Sequence, residues 1–177
     1  MKRIKKWCIA GALFTLVAGT LLHFIHDWCG GPVTAILGAV NESTWEHLKL
    51  LFWPVVLFGI VEYLAYGRKT KGFLPVKVLS LLAGLLTIVT LFYTYTGILG
   101  FNTLVLDIGT FVIGTIVAYG YACRRLEHPR PALQTRAAAV GAGLILVLLL
   151  AGFIAFTWVP PHIGLFLDPV SGGYGIA

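Results

Sequence analysis

The sequence predicts an all-α integral membrane protein: a five-helix transmembrane bundle with a short interfacial or re-entrant segment and a non-helical C-terminal tail. Three observations carry this reading. Of 177 residues, 58% are hydrophobic and only 11% charged, where soluble domains have about a quarter charged. The apolar residues fall in five runs of helix length, and in lipid only helices and closed barrels satisfy every backbone group. A barrel would show short alternating segments instead. The basic residues cluster at the ends of those runs, which is how topology is encoded. The net charge of +6 therefore serves orientation, and the expected partners are membrane lipids and not nucleic acid. Nothing in the sequence names a protein partner. Cys8, Cys29 and Cys123 show no CxxC spacing, so neither a zinc knuckle nor a disulfide framework is suggested.

The chain is short enough for a single membrane domain over 1–177. Lys2, Arg3, Lys5 and Lys6 precede a first span at about 7–28. It resembles a signal peptide, but His23-Phe24-Ile25-His26-Asp27-Trp28 stands where small cleavage-site residues belong, so the span is read as retained. After Cys29-Gly30-Gly31-Pro32, the run Val33 to Val40 is too short to cross a bilayer and gives the interfacial or re-entrant piece. The second span, about 43–66, starts at the capping-box pattern Ser43-x-x-Glu46 and carries a kink-prone Pro54. Gly67-Arg68-Lys69-Thr70-Lys71-Gly72 stops it. Further apolar runs cover about 76–99, 103–123 and 133–159, the fourth with Gly114, Ala118 and Ala122 at small-xxx-small spacing. Pro160-Pro161 opens the tail, 160–177.

Twelve of the 13 Lys and Arg residues fall in three segments that five spans place on one side, the exception being Lys49. The expectation is a multi-pass cell-membrane protein with a cytoplasmic N-terminus and an extracytoplasmic C-terminus. Trp28, Trp45 and Trp158 then align as an outer aromatic belt. His23, His26, Asp27, Glu42, Glu46, His47, Asp107, His162 and Asp168 all fall at that outer end, leaving only Glu62, Glu127 and His128 elsewhere. Membrane burial makes such clustering expensive, so it reads as one site.

Helical spacing divides the second span into two stripes: Glu42, Glu46 and Lys49 on an ion-paired face, Ser43 and His47 on another. His23, His26 and Asp27 share one arc of the first span. Asp107 lies about one turn, roughly 6 Å, inside the fourth span and needs a partner. Taken singly, each residue has a structural reading. Glu46 caps Ser43, Lys49 pairs with Glu46, His162 orients the tail, and Asp168-Pro169 makes a turn. Asn41-Glu42-Ser43 matches a glycosylation sequon, which its place at the membrane disfavours.

The motifs Asn-Glu-Ser-x-Trp-Glu-His-x-Lys from Asn41, Leu-Asp-Ile around Asp107, Pro-Pro-His-Ile-x-Leu-Phe-x-Asp-Pro from Pro160 and a terminal Tyr-Gly-Ile resemble those of an uncharacterised family of small bacterial multi-pass membrane proteins. That resemblance covers nearly the whole chain and implies no activity. In chemistry alone, the histidines with Asp107 and Ser43 resemble the alkaline-ceramidase and adiponectin-receptor membrane hydrolases, which hold zinc near the membrane surface. Those proteins have seven spans and another histidine spacing, and neither is matched here.

Three functional readings follow. The first is a zinc-dependent intramembrane hydrolase acting on a lipid or lipid-linked substrate. In it His47, His162 and one of His23 or His26 are ligands, Glu46 or Asp107 is the base, and Ser43, Asp27, Asn41, Glu42, Lys49 and Asp168 stand nearby. The second is a cation or proton carrier or channel using the same cluster as its vestibule. The third is a non-catalytic structural or partner-binding membrane module.

Overall fold

A computed structural model describes residues 2–176. It contains five helices long and apolar enough to cross a membrane: α1 (Lys2–Cys29), α3 (Thr44–Ala65), α4 (Phe73–Leu99), α5 (Leu104–Glu127) and α6 (Arg136–Trp158). Between the first two lies α2 (Pro32–Leu37), a single short helix opened by a proline. Single 3-10 turns at Gly67–Lys69 and Pro131–Gln134 serve the connections. Several helices outrun their apolar cores. The first begins at Lys2 because its basic residues continue the helix, and the third span begins at Phe73 because Pro75 falls in its first turn, where no N–H bond is lost.

The short segment expected to be interfacial or re-entrant is α2 and its flanks, packed on the bundle by one face while Val33 stays exposed. Ala35 is fully buried, and the Trp53 indole donates to Ile36 O at 2.8 Å. At one end of the bundle Phe73, Val76 and Leu126 bury against Ile4, Tyr66 and Leu133, which brings the Lys/Arg clusters of the N-terminus and the loops together. This is called the basic end. The opposite end carries the start of α3, the loop before α5 and the tail.

Two close approaches hold the helices in register. Pro54 has no N–H, so Leu50 O in α3 lacks its helical donor. Gly19 of α1 lies directly on that carbonyl, where an added Cβ would stand 2.5 Å from the oxygen. Gly84 of α4 and Gly114 of α5 face each other in the same manner. A Cβ on either would lie 2.9–3.1 Å from the other's carbonyl oxygen, and Ala118 continues the contact. Small residues are what permit backbones to approach this far in lipid. The core between the ends is apolar, with Leu51, Phe52, Leu81, Leu85 and Phe153 at its centre.

The tail docks on the bundle through two backbone bonds and one from a side chain. Trp45 N donates to Leu165 O at 3.0 Å, Ile176 N to Thr157 O at 3.0 Å, and Asn41 Nδ2 to Gly175 O at 2.8 Å. Phe166 is buried against Trp45 and Phe156. Trp45 is consequently not a belt residue like Trp28 and Trp158, which are exposed: its ring is taken up by Phe153, Phe156 and Phe166. We expect Gly19→Val to destabilise the protein by about 1–3 kcal/mol through overpacking, read as a lowered Tm in detergent. Gly97→Val, where a side chain would meet open space, should leave Tm within a degree or two of the parent, apart from any difference in helix propensity.

Candidate metal centre

Ser43 caps α3, its hydroxyl accepting from Glu46 N at a long 3.4 Å. The reciprocal half of the expected capping box is not made. Asn41 Oδ1 accepts from Ser43 N instead, at 2.9 Å, and frees the Glu46 carboxylate. That carboxylate accepts from Val40 N at 3.1 Å and from Lys49 Nζ at 2.6 Å. Lys49 is fully buried and donates also to Ala35 O at 2.9 Å and Thr157 Oγ1 at 2.6 Å, so its three protons meet three short acceptors. Glu46 and Lys49 are thereby consumed in joining α2, α3 and α6. Glu46, expected as a base, is 2% exposed with its carboxylate on Val40 N and Lys49. Ser43 is 1% exposed and engaged as a cap.

Glu42 precedes the helix and does not join the Glu46 and Lys49 stripe that an extended helical pattern implies. The loop turns it towards His47 and His23. The Glu42 Oε2 to His47 Nε2 distance is 3.4 Å, Glu42 Oε1 to His23 Nε2 is 3.8 Å, and the two Nε2 atoms are 3.2 Å apart. His23, Glu42 and His47 are the one group of three potential metal-ligating side chains that converge among the described residues.

The tautomer of His47 follows from its neighbour. Nδ1 lies 2.9 Å from Ser43 O, which can only accept, so Nδ1 carries the proton. The Nε2 lone pair then faces a second imidazole nitrogen and a carboxylate, an arrangement that calls for a proton or a cation between them. The His47 ring beside it holds the Glu42 carboxyl below its ordinary value, an effect that outweighs partial burial, and His23 adds to it.

The remaining expected members lie apart. His26 Nδ1 is 3.1 Å from Thr34 Oγ1, tying the end of α1 to α2. Asp27 is exposed on α1. His162, expected as a ligand, is exposed and stacks on Tyr174 with ring centroids 4.4 Å apart; it is not part of the converging group. Asp168 turns its carboxylate onto its own loop, accepting from Ser171 Oγ at 2.5 Å and Val170 N at 3.0 Å. Burial pushes its carboxyl up, but these bonds, with the Ser171 and Glu42 amides, hold it below the ordinary value.

Asp107 does share the site. It and His47, with Glu42, Thr44, Asn102 and Thr110, line a cavity of about 200 Å³ floored by Leu50, Ile88, Phe92 and Phe111 and walled by Pro169 and Val170 of the tail. Its partners are the Tyr95 hydroxyl and Asn102 Nδ2, the latter at 3.1 Å. Neither was singled out for this role by the sequence pattern. The only signal is that Tyr95 lies one turn before the end of one apolar run and Asn102 just ahead of the next, which a tight α4–α5 hairpin places beside Asp107.

Fold and site together define a small five-span helical membrane protein with a His/Glu/His cluster at one end. The chain belongs to the family described as "Family of unknown function (DUF6512)", whose match covers residues 1–176. No curated protein and no solved structure matches it.

Two outcomes follow from this geometry. Lys49→Met leaves the Glu46 carboxylate buried without its partner and should cost about 3–5 kcal/mol, with new protease sensitivity around α2. Adding Glu46→Gln should recover part of the loss. For Asp168, a depressed folded pKa means that its contribution is fully present above the unfolded value of about 3.9 and is lost as pH falls through the folded value. Proteolysis of the tail should therefore accelerate below about pH 4, and Asp168→Asn should show the acid-exposed behaviour already at neutral pH.

Proposed function

We propose that His23, Glu42 and His47 bind one divalent metal ion, zinc by the preference of its donors, and that the site hydrolyses a lipid or lipid-linked substrate. The observation that carries this reading is the convergence of two Nε2 atoms and a carboxylate. Ligand atoms on a tetrahedral zinc stand about 3.3–3.6 Å apart, as bond lengths of 2.0–2.2 Å require. Here the two Nε2 atoms are 3.2 Å apart, and the Glu42 carboxylate offers Oε2 at 3.4 Å from His47 and Oε1 at 3.8 Å from His23, so one ligand atom from each residue lies within 4.8 Å of the others. Two histidines and one glutamate leave a fourth position open, the pattern of catalytic rather than structural sites. A metal in this position would supply a water acidified to a pKa of about 7.

The chain's own residues supply the rest. Ser43 O fixes the His47 tautomer so that Nε2 is the free nitrogen. Asp107 faces the same cavity and is placed to accept a proton from water and return it to a leaving group, with Tyr95 and Asn102 orienting its carboxylate. A cavity of about 200 Å³ is smaller than the roughly 300–1,000 Å³ of sites that enclose a drug-sized ligand. It suits a headgroup or scissile linkage whose hydrocarbon stays in the bilayer. The charge asymmetry supports an orientation with this end outside, the N-terminus cytoplasmic and the C-terminus extracytoplasmic.

The His23–His47 contact also favours a second reading, a shared proton in a cation or proton carrier. Less supports it, because Leu51, Leu81 and Leu85 form an apolar layer between this cavity and the polar groups at the basic end. A third reading, a non-catalytic membrane module, draws on the extent to which Glu46, Lys49 and Asp168 are spent on structure.

Elemental analysis of protein purified without chelators or a histidine tag should find close to one metal per chain. The metal should be lost in His23→Ala and His47→Ala, reduced in Glu42→Gln and retained in His26→Ala and His162→Ala. A folded wild type without metal ends the hydrolase reading and leaves the proton. Reporter fusions at the two termini should read inside and outside respectively; a cytoplasmic C-terminal reporter overturns the placement of the site.

A further inference from the structure

At the basic end, α3, α4 and α6 diverge and leave a lateral groove of about 470 Å³, walled by Val55, Ile60, Tyr63, Leu74, Ala139 and Leu146. From Val55 to Tyr63 it extends about 12 Å along α3 at 1.5 Å per residue, most of the roughly 15 Å depth of one leaflet's hydrocarbon. One charged side chain is among its lining residues. Lys77, only 7% exposed, lines the groove one turn inside α4. Its ammonium donates to Glu62 Oε2 at 2.6 Å and lies 4.8 Å from the centre of the Tyr119 ring. An ammonium has three protons, and this one has a single hydrogen-bond acceptor among the described residues, so it can serve another from the groove.

Above the groove the connections gather cations. A Cβ on Gly72 would lie 2.8 Å from Leu133 O, so the loops around 67–72 and 130–136 touch. They carry Arg68, Lys69, Lys71, Arg130 and Arg136, all exposed and none in an ion pair among the described residues. The Arg68 guanidinium lies 5.8 Å over the ring of Tyr63, itself a groove wall. Arg136 opens α6 one turn before Ala139, which lines the groove.

An apolar slot one leaflet deep, a buried donor one turn below its mouth and unpaired cations around that mouth match, in order, an acyl chain, an ester oxygen and a phosphate. We propose that this groove is a binding site for one anionic phospholipid, with an acyl chain along α3 and α6, an ester oxygen on Lys77 and the phosphate between Arg68 and Arg136. It is separate from the His/Glu/His centre and does not depend on it.

The test uses the full chain in detergent with equimolar phosphatidylglycerol and phosphatidylcholine, reading retained lipid by native mass spectrometry. We expect one phosphatidylglycerol per chain, favoured at least about fivefold, equivalent to about 1 kcal/mol at 1.4 kcal/mol per tenfold. Arg68→Gln with Arg136→Gln should abolish the preference. Gly59→Leu should block the groove, since a Cβ there meets only Lys77 Cε at 3.6 Å, and Ala139→Phe should block it from the other wall. Gly120→Leu, on a face with nothing within 4 Å, should bind as the parent does. Equal retention of the two lipids overturns the proposal. So does a preference that survives both groove-filling variants while the arginine pair abolishes it, because that is attraction to the leaflet without a site. Loss in Gly120→Leu equal to that in Gly59→Leu overturns it as well.

Discussion

A buried ammonium sets the arrangement of the acid-rich end. Lys49 stands fully inside a membrane protein, where an unpaired charge at mid-bilayer costs several kcal/mol or more. It is tolerated because α2 supplies Ala35 O near its C-terminal end, α3 supplies Glu46, and α6 supplies Thr157. Carbonyls at a helix C-terminus attract a cation in their own right. Such a pair adds little net stability compared with apolar packing, but removing one member is expensive. Its effect is therefore selective: few other arrangements of α2, α3 and α6 would satisfy all three protons. Glu46 passes this constraint on through Val40 N, and the loop so held presents Glu42 to the two histidines.

The basic end repeats the device with different chemistry. Glu62 is fully buried and receives the Lys77 ammonium at 2.6 Å and the Tyr66 hydroxyl at 2.7 Å. One buried ion pair thus lies towards each end of the bundle, with an apolar core between them. In each case the pair neutralises its charges, while the groups facing the cavity stay available. His23, Glu42 and Asp107 at one end, and the loop arginines and lysines at the other, are not drawn into the pairs.

The tail belongs to the site as a wall. Its backbone bonds to Trp45 and Thr157, with the Asn41 side chain on Gly175 O, close it onto α3 and α6, and Pro169 and Val170 border the cavity that holds His47 and Asp107. Asn41, which turns the loop that positions Glu42, also donates to Gly175 O of the tail at 2.8 Å, so the same loop anchors the segment that walls the site. Phe166, buried on Trp45, fixes the middle of the tail.

How much of this was legible differs between fold and site. The five spans, the short α2, the ion pair of Glu46 with Lys49 and the clustering of acids and histidines at one end were determined by the sequence itself. Those features rest on local periodicity, on the requirement to satisfy backbone in lipid, and on the segregation of charge. Which members of the cluster meet was decided only by the tertiary structure. Helical spacing assigned Glu42 to the Lys49 face, but Glu42 lies outside the helix, and an Asn41 turn redirects it to His47 and His23. His162 was grouped with His47 by side of the membrane, whereas Tyr174, brought back by the single bridge it makes with Leu167, stacks on it instead. Tyr95 and Asn102 reach Asp107 only once the α4–α5 turn is closed. Periodicity describes neighbours within one element; convergence of ligands from α1, a loop and α3 depends on how the elements cross, and the close approach of Gly19 to Leu50 O together with the buried Lys49 decides that crossing.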